Sequence, residues 1–401
     1  MYPTDWRVCS LRDVTEKVMV GIASAATHAY CSSGIPMLRN LNIRPGYIDE
    51  QDVLQIDPAF EASHKNKRLK AGDVLVVRTG YPGVSAVVPE AYEGAQCFTS
   101  LIVRPKKAEL SADYFAQYMN SAFGEQLSAA AEAGGAQKNL NAGELEKLQL
   151  SLPTIREQAR IAEVLSTWDQ AISTAEQVVA NCQRQRLGLT QTLIGDHSRQ
   201  SRGEAVLHRE HASAIFLPRS VRRNDDLELL SVMQDVGVVP RNSLDRKVVM
   251  PEGSTDGYKL VEPGDFVISL RSFEGGLEYS RFRGLVSPAY TVLKPAKPIV
   301  DDFYRHYFKS QEFIGRLAVA VIGIRDGKQI SYDDFEFLRL PNPPISEQQA
   351  IADVLNAAEQ AVKHHESHLQ LLHQEKAALM SQLLTGKRRV KLPEAEIESQ
   401  A

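Results

Sequence analysis

The chain has 401 residues, 43% of them hydrophobic and 24% charged, and its formal net charge is −4. This length allows two or three domains, and the composition is that of a globular protein rather than a disordered or fibrous one. Acidic and basic side chains are balanced in both halves of the chain, which excludes a polycation that binds DNA by bulk charge. Any contact with nucleic acid must therefore come from local clusters of residues.

The beginning of the chain and its cysteines indicate a cellular compartment. Residues 1–6 have no signal-peptide character, and no apolar run approaches the length of a membrane span. The cysteines form neither a Cys-x-x-Cys pair nor a metal-binding spacing. They are Cys9, Cys31, Cys97 and Cys182. A protein of the reducing cytoplasm is expected.

The first 152 residues contain a basic cluster, a Gly-Asp turn and a β-rich segment that ends in an Arg-Thr-Gly-Tyr-Pro-Gly loop. This order predicts a strand that leads from a tight turn into an exposed loop. Lysine clusters suit phosphates, whereas arginine suits the edges of bases in the major groove. Any one of these residues alone is more simply a solvated surface charge, so the hypothesis rests on their recurrence at equivalent places later in the chain. The candidate DNA-contact residues here are Lys65, Lys67, Arg68, Lys70, Arg78, Thr79, Tyr81 and Lys138.

Residues 153–196 follow a heptad pattern whose seam positions alternate in steps of four and three. This spacing is typical of a helix that supercoils with a partner. A helix of about 40 residues is about 60 Å long, which exceeds the usual domain helix. A single copy is also compatible with an amphipathic helix on a globular core. The predicted seam includes Ile161, Leu165, Trp168, Ile172, Leu189 and Leu193, with the basic Arg186 among them.

The same pattern returns 190 positions later, in residues 343–386. Pro153-Thr154-Ile155-Arg156-Glu157-Gln158 is repeated as Pro343-Pro344-Ile345-Ser346-Glu347-Gln348, and Lys376 takes the step of Arg186. Two copies in register favour one intramolecular coiled coil over two separate domain helices. The second predicted seam includes Ile351, Leu355, Val362, Leu369, Leu372, Leu379 and Leu383.

The repeat extends to the globular parts, which indicates a tandem duplication. Ala71–Arg78 is answered by Pro263–Arg271, and Leu101–Pro105 by Thr291–Pro295. Residues 34–70 and 227–261 differ, as expected of two modules that recognise different things. The predicted fold class is α+β, divided into globular domains at 1–152 and 197–342, long helices at 153–196 and 343–386, and a tail at 387–401. The second domain contributes the candidate DNA-contact residues Arg271, Ser272, Phe273, Arg281, Arg283, Arg325, Lys328 and Gln329.

Two motifs suggest catalysis, but neither is complete. Asn342-Pro343-Pro344-Ile345 resembles the Asn-Pro-Pro-aromatic loop with which amino-methyltransferases grip a flipped adenine. Ile345 cannot stack as an aromatic residue does, and no glycine-rich loop follows a strand upstream to hold S-adenosylmethionine. Asp326-x-Lys328 lacks the second acidic ligand of a nuclease site. We therefore predict no catalytic residue, metal site or cofactor in this chain.

Taken together, the duplicated frame, the two Glu-Gln helix starts and the helix ends Leu189–Gly195 and Leu379–Gly386 resemble a specificity subunit of a type I restriction-modification enzyme. The resemblance covers nearly the whole chain. Trp6 and Leu11-Arg12-Asp13-Val14 form a family-like opening of the first domain, and the second domain has no matching Trp-x4-Leu opening. The resemblance implies that each globular part is a target-recognition domain that reads one half of a split double-stranded DNA sequence.

The resemblance also implies the partners of this chain. The long helices are expected to pair antiparallel, to act as a spacer and to dock two methylation subunits per copy of the chain. Restriction and translocation subunits would complete the assembly for phage defence. S-adenosylmethionine, ATP and magnesium are then expected in those partners, and this chain is expected to be non-catalytic. A coiled-coil scaffold whose domains bind proteins instead of DNA is the alternative, and sequence-dependent DNA binding at moderate salt distinguishes the two.

Antiparallel helices of similar length predict the geometry of the DNA target. The two half-sites should face the same side of the duplex, with centres about 34–36 Å apart. An unread gap of roughly 5–8 base pairs follows from that spacing.

Overall fold

A computed structural model describes residues 2–24, 26–126, 139–203, 205–222, 227–243, 257–269, 272–321 and 330–391. The chain forms two compact units, the first made of residues 1–176 and 367–401 and the second of residues 177–366. Each unit therefore combines one globular α+β part with a portion of each long helix.

The first unit contains short strands, short helices and most of the first long helix. The strands are β1 Arg7–Ser10, β2 Thr15–Val20, β3 Tyr30–Cys31, β4 Ile35–Leu38, β5 Ile43–Arg44, β6 Tyr47–Ile48, β7 Leu54–Ile56, β8 Val74–Val76, β9 Ser85–Val87, β10 Gln96–Cys97, β11 Leu101–Pro105 and β12 Gln149–Leu152. The helices are α1 Pro58–Ala62, α2 Ala112–Met119, α3 Ala142–Glu146 and the long α4 Ile155–Ile194, which continues into the second unit. The strands form sheets in the orders β2-β11-β8-β9, β10-β4-β7-β3, β1-β12 and β5-β6.

The described residues of the second unit follow the same plan. Its strands are β13 Arg209–His211, β14 Phe216–Pro218, β15 Leu230–Met233, β16 Gly237–Pro240, β17 Lys259–Val261, β18 Phe266–Ile268, β19 Glu278–Tyr279, β20 Gly284–Val286, β21 Thr291–Pro295 and β22 Arg339–Pro341. Its helices are α5 Asp196–Ser201, α6 Ser272–Gly275, α7 Asp301–Tyr307, α8 Gln311–Val321, α9 Tyr332–Glu336 and the long α10 Ile345–Leu383. The sheet orders are β14-β21-β18-β19, β13-β22, β15-β16 and β17-β20.

The sheet orders confirm the tandem duplication. The antiparallel order β2-β11-β8-β9 of the first unit has its counterpart in β14-β21-β18-β19, and β1-β12 has its counterpart in β13-β22. The opening of the second domain, which the sequence left unmatched, is β13 followed by the 3-10 turn Ala212–Ala214, as β1 is followed by Leu11–Val14. The parts that diverge in sequence also diverge in structure: β3 to β7 occupy the first unit, and the hairpin β15–β16 occupies the second.

Apolar strands form the centre of each unit. All three residues of β8 and of β18 are buried, as expected of a continuous apolar run in an interior strand. The core of the second unit is rich in aromatic rings, and Phe216 meets Tyr304 edge to face with ring centroids 5.1 Å apart. Such pairs each contribute about 0.5–1.5 kcal/mol beyond the burial of their area.

The long helices pair antiparallel, as predicted. In the first unit, Ile161 and Leu165 near the beginning of α4 share a core with Met380 and Leu383 at the end of α10. In the second unit, Leu189 and Leu193 near the end of α4 pack against the core that contains Ile351 and Leu355. All thirteen predicted seam residues, Ile161, Leu165, Trp168, Ile172, Leu189, Leu193, Ile351, Leu355, Val362, Leu369, Leu372, Leu379 and Leu383, are buried or half-buried.

The glutamine of each Glu-Gln motif attaches a long helix to its globular domain. Gln158 is 1% exposed, and its amide donates to the carbonyls of Glu109 and Pro153, each at 3.0 Å. Its Oε1 accepts from the backbone N–H of Ser111 at 2.9 Å. These partners are backbone groups that are buried or half-buried, where a hydrogen-bond partner matters for stability. Gln158 therefore fixes the beginning of α4 against the residues that lead into α2.

Gln348 repeats two of these three contacts in the second unit, and its amide also donates to Asn342 Oδ1. Its amide donates to the Pro343 carbonyl at 2.9 Å, and its Oε1 accepts from the Val300 N–H at 2.9 Å. The short motif that marks both helices in the sequence thus has the same structural role twice.

The glutamate of each motif pairs with an arginine that follows the other long helix. Glu157 accepts from Arg389, with distances of 2.6 Å to Nε and 2.8 Å to one terminal nitrogen. Glu347 accepts from Arg199 at 3.0 Å. Glu157 and Glu347 are 190 residues apart, as are Arg199 and Arg389. The duplication therefore includes this ion pair: in each unit, the glutamate at the beginning of one long helix pairs with an arginine that follows the other.

Candidate nucleic-acid interface

The Gly-Asp turns are structural anchors that direct the strands toward the candidate loops. Gly72 adopts φ +87° and Gly264 φ +95°, a left-handed conformation that favours glycine. The buried carboxylate of Asp73 accepts two bonds of 2.7 Å from Arg104, and that of Asp265 pairs with Arg219 at 2.7 Å. These turns hold β8 and β18 in place, so that the chain after each strand emerges from a fixed base.

The loop that follows β8 is fixed at its base and exposed at its tip. Asn40 donates to the Thr79 carbonyl at 3.1 Å and to the Thr79 hydroxyl at 2.9 Å. The Arg78 guanidinium reaches Asn141 Oδ1 at 3.4 Å and keeps its buried Nε without a partner among the described residues. Tyr81 is 75% exposed. A rigid base, an arginine with remaining donors and an exposed aromatic ring are the features that base recognition needs.

The basic cluster before the Gly72 turn is divided by the fold into engaged and exposed residues. The ammonium of Lys67 donates to the Gly21 carbonyl at 2.7 Å. Arg68 forms a two-point ion pair with the buried Glu61, at 2.7 and 2.6 Å, and this hydrogen bonding lowers the pKa of Glu61 against the effect of burial. Lys65 and Lys70 are exposed. Lys65 and Lys70 are therefore better candidates for phosphate contact than Lys67 and Arg68.

The hairpin β5–β6 lies beside this loop and was not predicted to contact DNA. The backbone N–H of Gly46 at its tip donates to the Ser85 carbonyl of β9 at 2.9 Å, and β9 pairs with β8. Tyr47 on the hairpin is 60% exposed. The sequence Arg44-Pro45-Gly46-Tyr47 carries a recognisable turn signal, but the adjacency of the hairpin to β9 depends on contacts between distant residues.

In the second unit, the described candidates differ in accessibility. Ser272 is buried, and its hydroxyl accepts from the Ser269 N–H at 2.8 Å, so it supports the backbone instead of facing DNA. Arg281 and Arg283 are exposed. The Arg281 guanidinium lies over the Tyr279 ring at 5.5 Å and 3.7 Å from Asp302, which orients it at the surface.

Several candidates cannot be assigned a position. Lys138, Arg271, Arg325, Lys328 and Gln329, and the side chain of Phe273, lie outside the described residues.

A hairpin turn in the second unit is a further candidate that the sequence did not reveal. Val236, in the turn between β15 and β16, is largely exposed. Lys309 connects this turn to α6, because its ammonium lies 3.3 Å from Asp235, donates to the Gly275 carbonyl at 2.8 Å and bonds Glu278. Burial raises the pKa of Glu278, and the contact with Lys309 opposes that shift. Among the described residues, a hairpin thus lies near the segment that follows the central strand in each unit: β5–β6 near the segment after β8, and β15–β16 near the segment after β18.

The Asn-Pro-Pro segment has a structural role that explains its residues. Asn342 donates to Glu210 at 3.0 Å and accepts from the Tyr304 hydroxyl and the Gln348 amide, each at 3.1 Å. Its amide is therefore occupied within the fold. Within the part of the chain that the structure describes, no group of three or more His, Cys, Asp or Glu side chains could hold a metal ion. No helix in that same part is long and apolar enough to cross a bilayer.

The chain thus combines a duplicated α+β domain with paired long helices. The comparison with known sequences identifies its kind. Residues 3–180 match the family of the Type I restriction modification DNA specificity domain. The chain is also similar to the Putative type I restriction enzyme MjaX specificity subunit of Methanocaldococcus jannaschii, with 25% identity over 97% of this chain and 95% of that protein.

Solved structures share the fold over the full length. A chain from a study of complex assembly and conformational transition of the type I R-M system aligns with a TM-score of 0.60 and 16% identity, covering 97% of this chain and all of that one. The type I S subunit from M. genitalium aligns at a TM-score of 0.57 and 12% identity, covering 97% of each chain. The HsdS subunit from Thermoanaerobacter tengcongensis aligns at 0.50 and 16%, covering 96% and 98%.

The family match and the similarity to the curated relative confirm the predicted resemblance to a specificity subunit and support DNA sequence recognition. The solved structures confirm the fold.

Proposed function

We propose that the chain is the DNA-reading subunit of a type I restriction-modification complex, in which each recognition domain reads one half of a bipartite target. The main support for this proposal is that the same domain architecture occurs twice with different loops. The same sheet order and the same glutamine contacts occur twice. The exposed hairpins beside the central strands, β5–β6 and β15–β16, differ in sequence and length. Two domains that share one architecture and differ in their exposed hairpins are suited to recognising two different half-sites.

The paired helices are then the spacer between the half-sites and the surface that docks two methylation subunits. One copy of the chain per complex provides both recognition domains. Methylation, with S-adenosylmethionine, and cleavage, with ATP and magnesium, belong to the partner subunits. We place the complex in the cytoplasm, where it meets the chromosome and invading DNA.

Selection of DNA from a random duplex library tests this proposal. The complete complex, with its methylation subunits, is incubated with the library at moderate salt, so that non-specific phosphate binding is suppressed. The enriched duplexes should share two blocks of fixed sequence separated by an unread gap of constant length. A single continuous block contradicts the bipartite reading. Absence of any enriched sequence supports the scaffold alternative.

Calorimetry tests whether the chain is catalytic by itself. Titration of S-adenosylmethionine into the isolated chain should give no binding heat, because Ile345 replaces the aromatic residue of the methyltransferase motif and Asn342 is occupied within the fold. Micromolar binding contradicts the assignment of methylation to the partner subunits.

A further inference from the structure

In the first unit, a junction of polar groups connects the recognition domain to both long helices. Asp169 on α4 accepts from the Gln117 amide of α2 at 2.6 Å through Oδ2. Its other oxygen, Oδ1, pairs with the ammonium of Lys376 on α10. One carboxylate thus bonds the domain on one side and the opposite helix on the other.

The junction also touches a candidate reading element. A Cβ placed on Gly46, at the tip of the hairpin β5–β6, would lie 3.9 Å from Asp169 Oδ2. The hairpin tip therefore approaches the carboxylate closely, and the neighbouring Tyr47 is exposed. The hairpin tip therefore lies in van der Waals range of the junction.

The equivalent place in the second unit is built differently. Glu359 is 190 residues after Asp169, and Arg186 is 190 residues before Lys376, so an equivalent ion pair would join Glu359 and Arg186. Instead, Glu359 pairs with Arg305 of α7 at 2.7 Å and with Lys363 of its own helix at 2.8 Å. The Arg186 side chain makes no hydrogen bond or ion pair with the described residues, and its Nε is buried. Among the described residues, the second domain is therefore tied at this point to α10 and not to α4.

We propose that the junction of Lys376, Asp169 and Gln117 positions the first recognition domain on the helix pair and thereby sets the length of the unread gap in the DNA target. This inference rests on the proposed function. The physical reason is the seam position of Lys376, whose side chain is only 15% exposed. A polar residue at a single seam position specifies the register of a coiled coil at a cost in stability. Lys376 also holds the first recognition domain in place, because it bonds Asp169, which in turn bonds Gln117 of that domain.

Lys376→Met tests the proposal, with Arg186→Met as the matched control. Both substitutions replace a long basic seam residue with an apolar one of similar length. After Lys376→Met, the Asp169 carboxylate keeps its bond from Gln117, and because its side chain is 33% exposed, water can solvate it. The Lys376→Met variant should therefore lose some stability but still fold, and Arg186→Met leaves no described acidic partner behind. Lys376→Met leaves Asp169 without its bond to α10, whereas Arg186→Met removes no bond among the described residues.

The measurement is binding of the complete complex to duplexes that carry both half-sites and differ only in gap length. The native complex should prefer one gap. With Lys376→Met, the ratio of affinities between that gap and gaps one base pair shorter or longer should fall by about tenfold, which corresponds to about 1.4 kcal/mol. The half-site sequences should not change. Arg186→Met should leave the ratio within about twofold, and Lys376→Arg, which keeps the cation, should restore the native ratio.

Gln117→Leu provides a second, independent perturbation, because it cuts the bond from the domain side and keeps both helices intact. It should reduce gap discrimination as Lys376→Met does. The proposal is overturned if folded Lys376→Met and Gln117→Leu complexes keep the native gap preference, or if Arg186→Met reduces it as strongly. If the native complex itself binds no split sequence, the proposed function fails before any variant is compared.

Discussion

Replacing the glutamine of the first Glu-Gln motif should loosen the first unit and leave the second unchanged. Gln158→Ala removes one acceptor for the Ser111 N–H and one donor for the carbonyls of Glu109 and Pro153. A buried polar group left without its partner costs about 1–3 kcal/mol, so three such groups, partly relieved by local rearrangement, should cost about 3–5 kcal/mol.

The equivalent variant in the second unit is the internal comparison. Gln348→Ala removes the corresponding bonds to Val300 and Pro343. Gln170→Ala, at an exposed position of the same helix as Gln158, is the control and should change stability by less than about 0.5 kcal/mol.

Hydrogen exchange detected by mass spectrometry separates the units better than a single unfolding curve, because a chain of two units need not unfold in one step. In Gln158→Ala, amides of residues 109–119 should exchange at least about a hundredfold faster, which corresponds to about 3 kcal/mol. Amides of residues 300–307 should be unaffected, and Gln348→Ala should show the reverse. A loss of less than about 1 kcal/mol, or equal loss of protection in both units, would refute the role assigned to these glutamines.

Three further predictions concern the reading loop, the helix pair and a buried ion pair. Arg78→Ala should weaken binding to one half-site by about 1–3 kcal/mol. Lys65→Ala should instead lower the affinity for all duplexes alike and flatten its salt dependence. Affinity measurements at several salt concentrations test both variants, and equal effects of Arg78→Ala on the two half-sites would contradict this. Four residues inserted near Ala180 add about 6 Å to one helix, so the preferred gap in a methylation map should lengthen by one or two base pairs with both half-sites kept. Burial alone would raise the pKa of Glu359, but hydrogen bonds from Lys363 and Arg305 lower it to about 2, below its unfolded value. Glu359→Gln should therefore cost about 2–3 kcal/mol at pH 7, and urea unfolding should show this cost shrinking as the pH falls below 5, whereas a cost independent of pH would contradict the ion pair.

The helices were predictable because their signal is local and periodic. Burial at Ile161 and Leu355 follows from spacing alone, and thirteen seam residues selected by spacing are buried or half-buried. The duplicated sheet was predictable for a similar reason, since Gly72 and Gly264 mark the same turn in two places.

The contacts that attach these elements were not predictable. Gln158 bonds residues 47 and 49 positions earlier in the chain, and Arg389 pairs with a glutamate 232 positions away. Nothing in a short motif specifies such partners, because they meet only after the chain has folded.

The candidate site was predictable only in part. Arg78 and Tyr81 lie on a loop that the turn signal marks, and the structure gives that loop a fixed base and an exposed tip. The four basic residues before Gly72 do not act as one cluster. The buried Glu61, seven residues before Arg68, forms an ion pair with Arg68, so that this charge is neutralised within the fold. Tyr47 was missed because its exposure depends on how the hairpin β5–β6 packs on β9.

A map of methylated adenines in the host genome, with the gene for this chain present and deleted, tests the central claim most directly. The map needs no assumption about the target sequence and uses the complex as the cell assembles it. With the gene present, one split motif should be methylated, consisting of two fixed blocks separated by a constant gap of roughly 5–8 base pairs. That motif, and no other, should lose its methylation in the deletion strain. Identical maps from the two strains would contradict the assignment of DNA sequence reading to this chain.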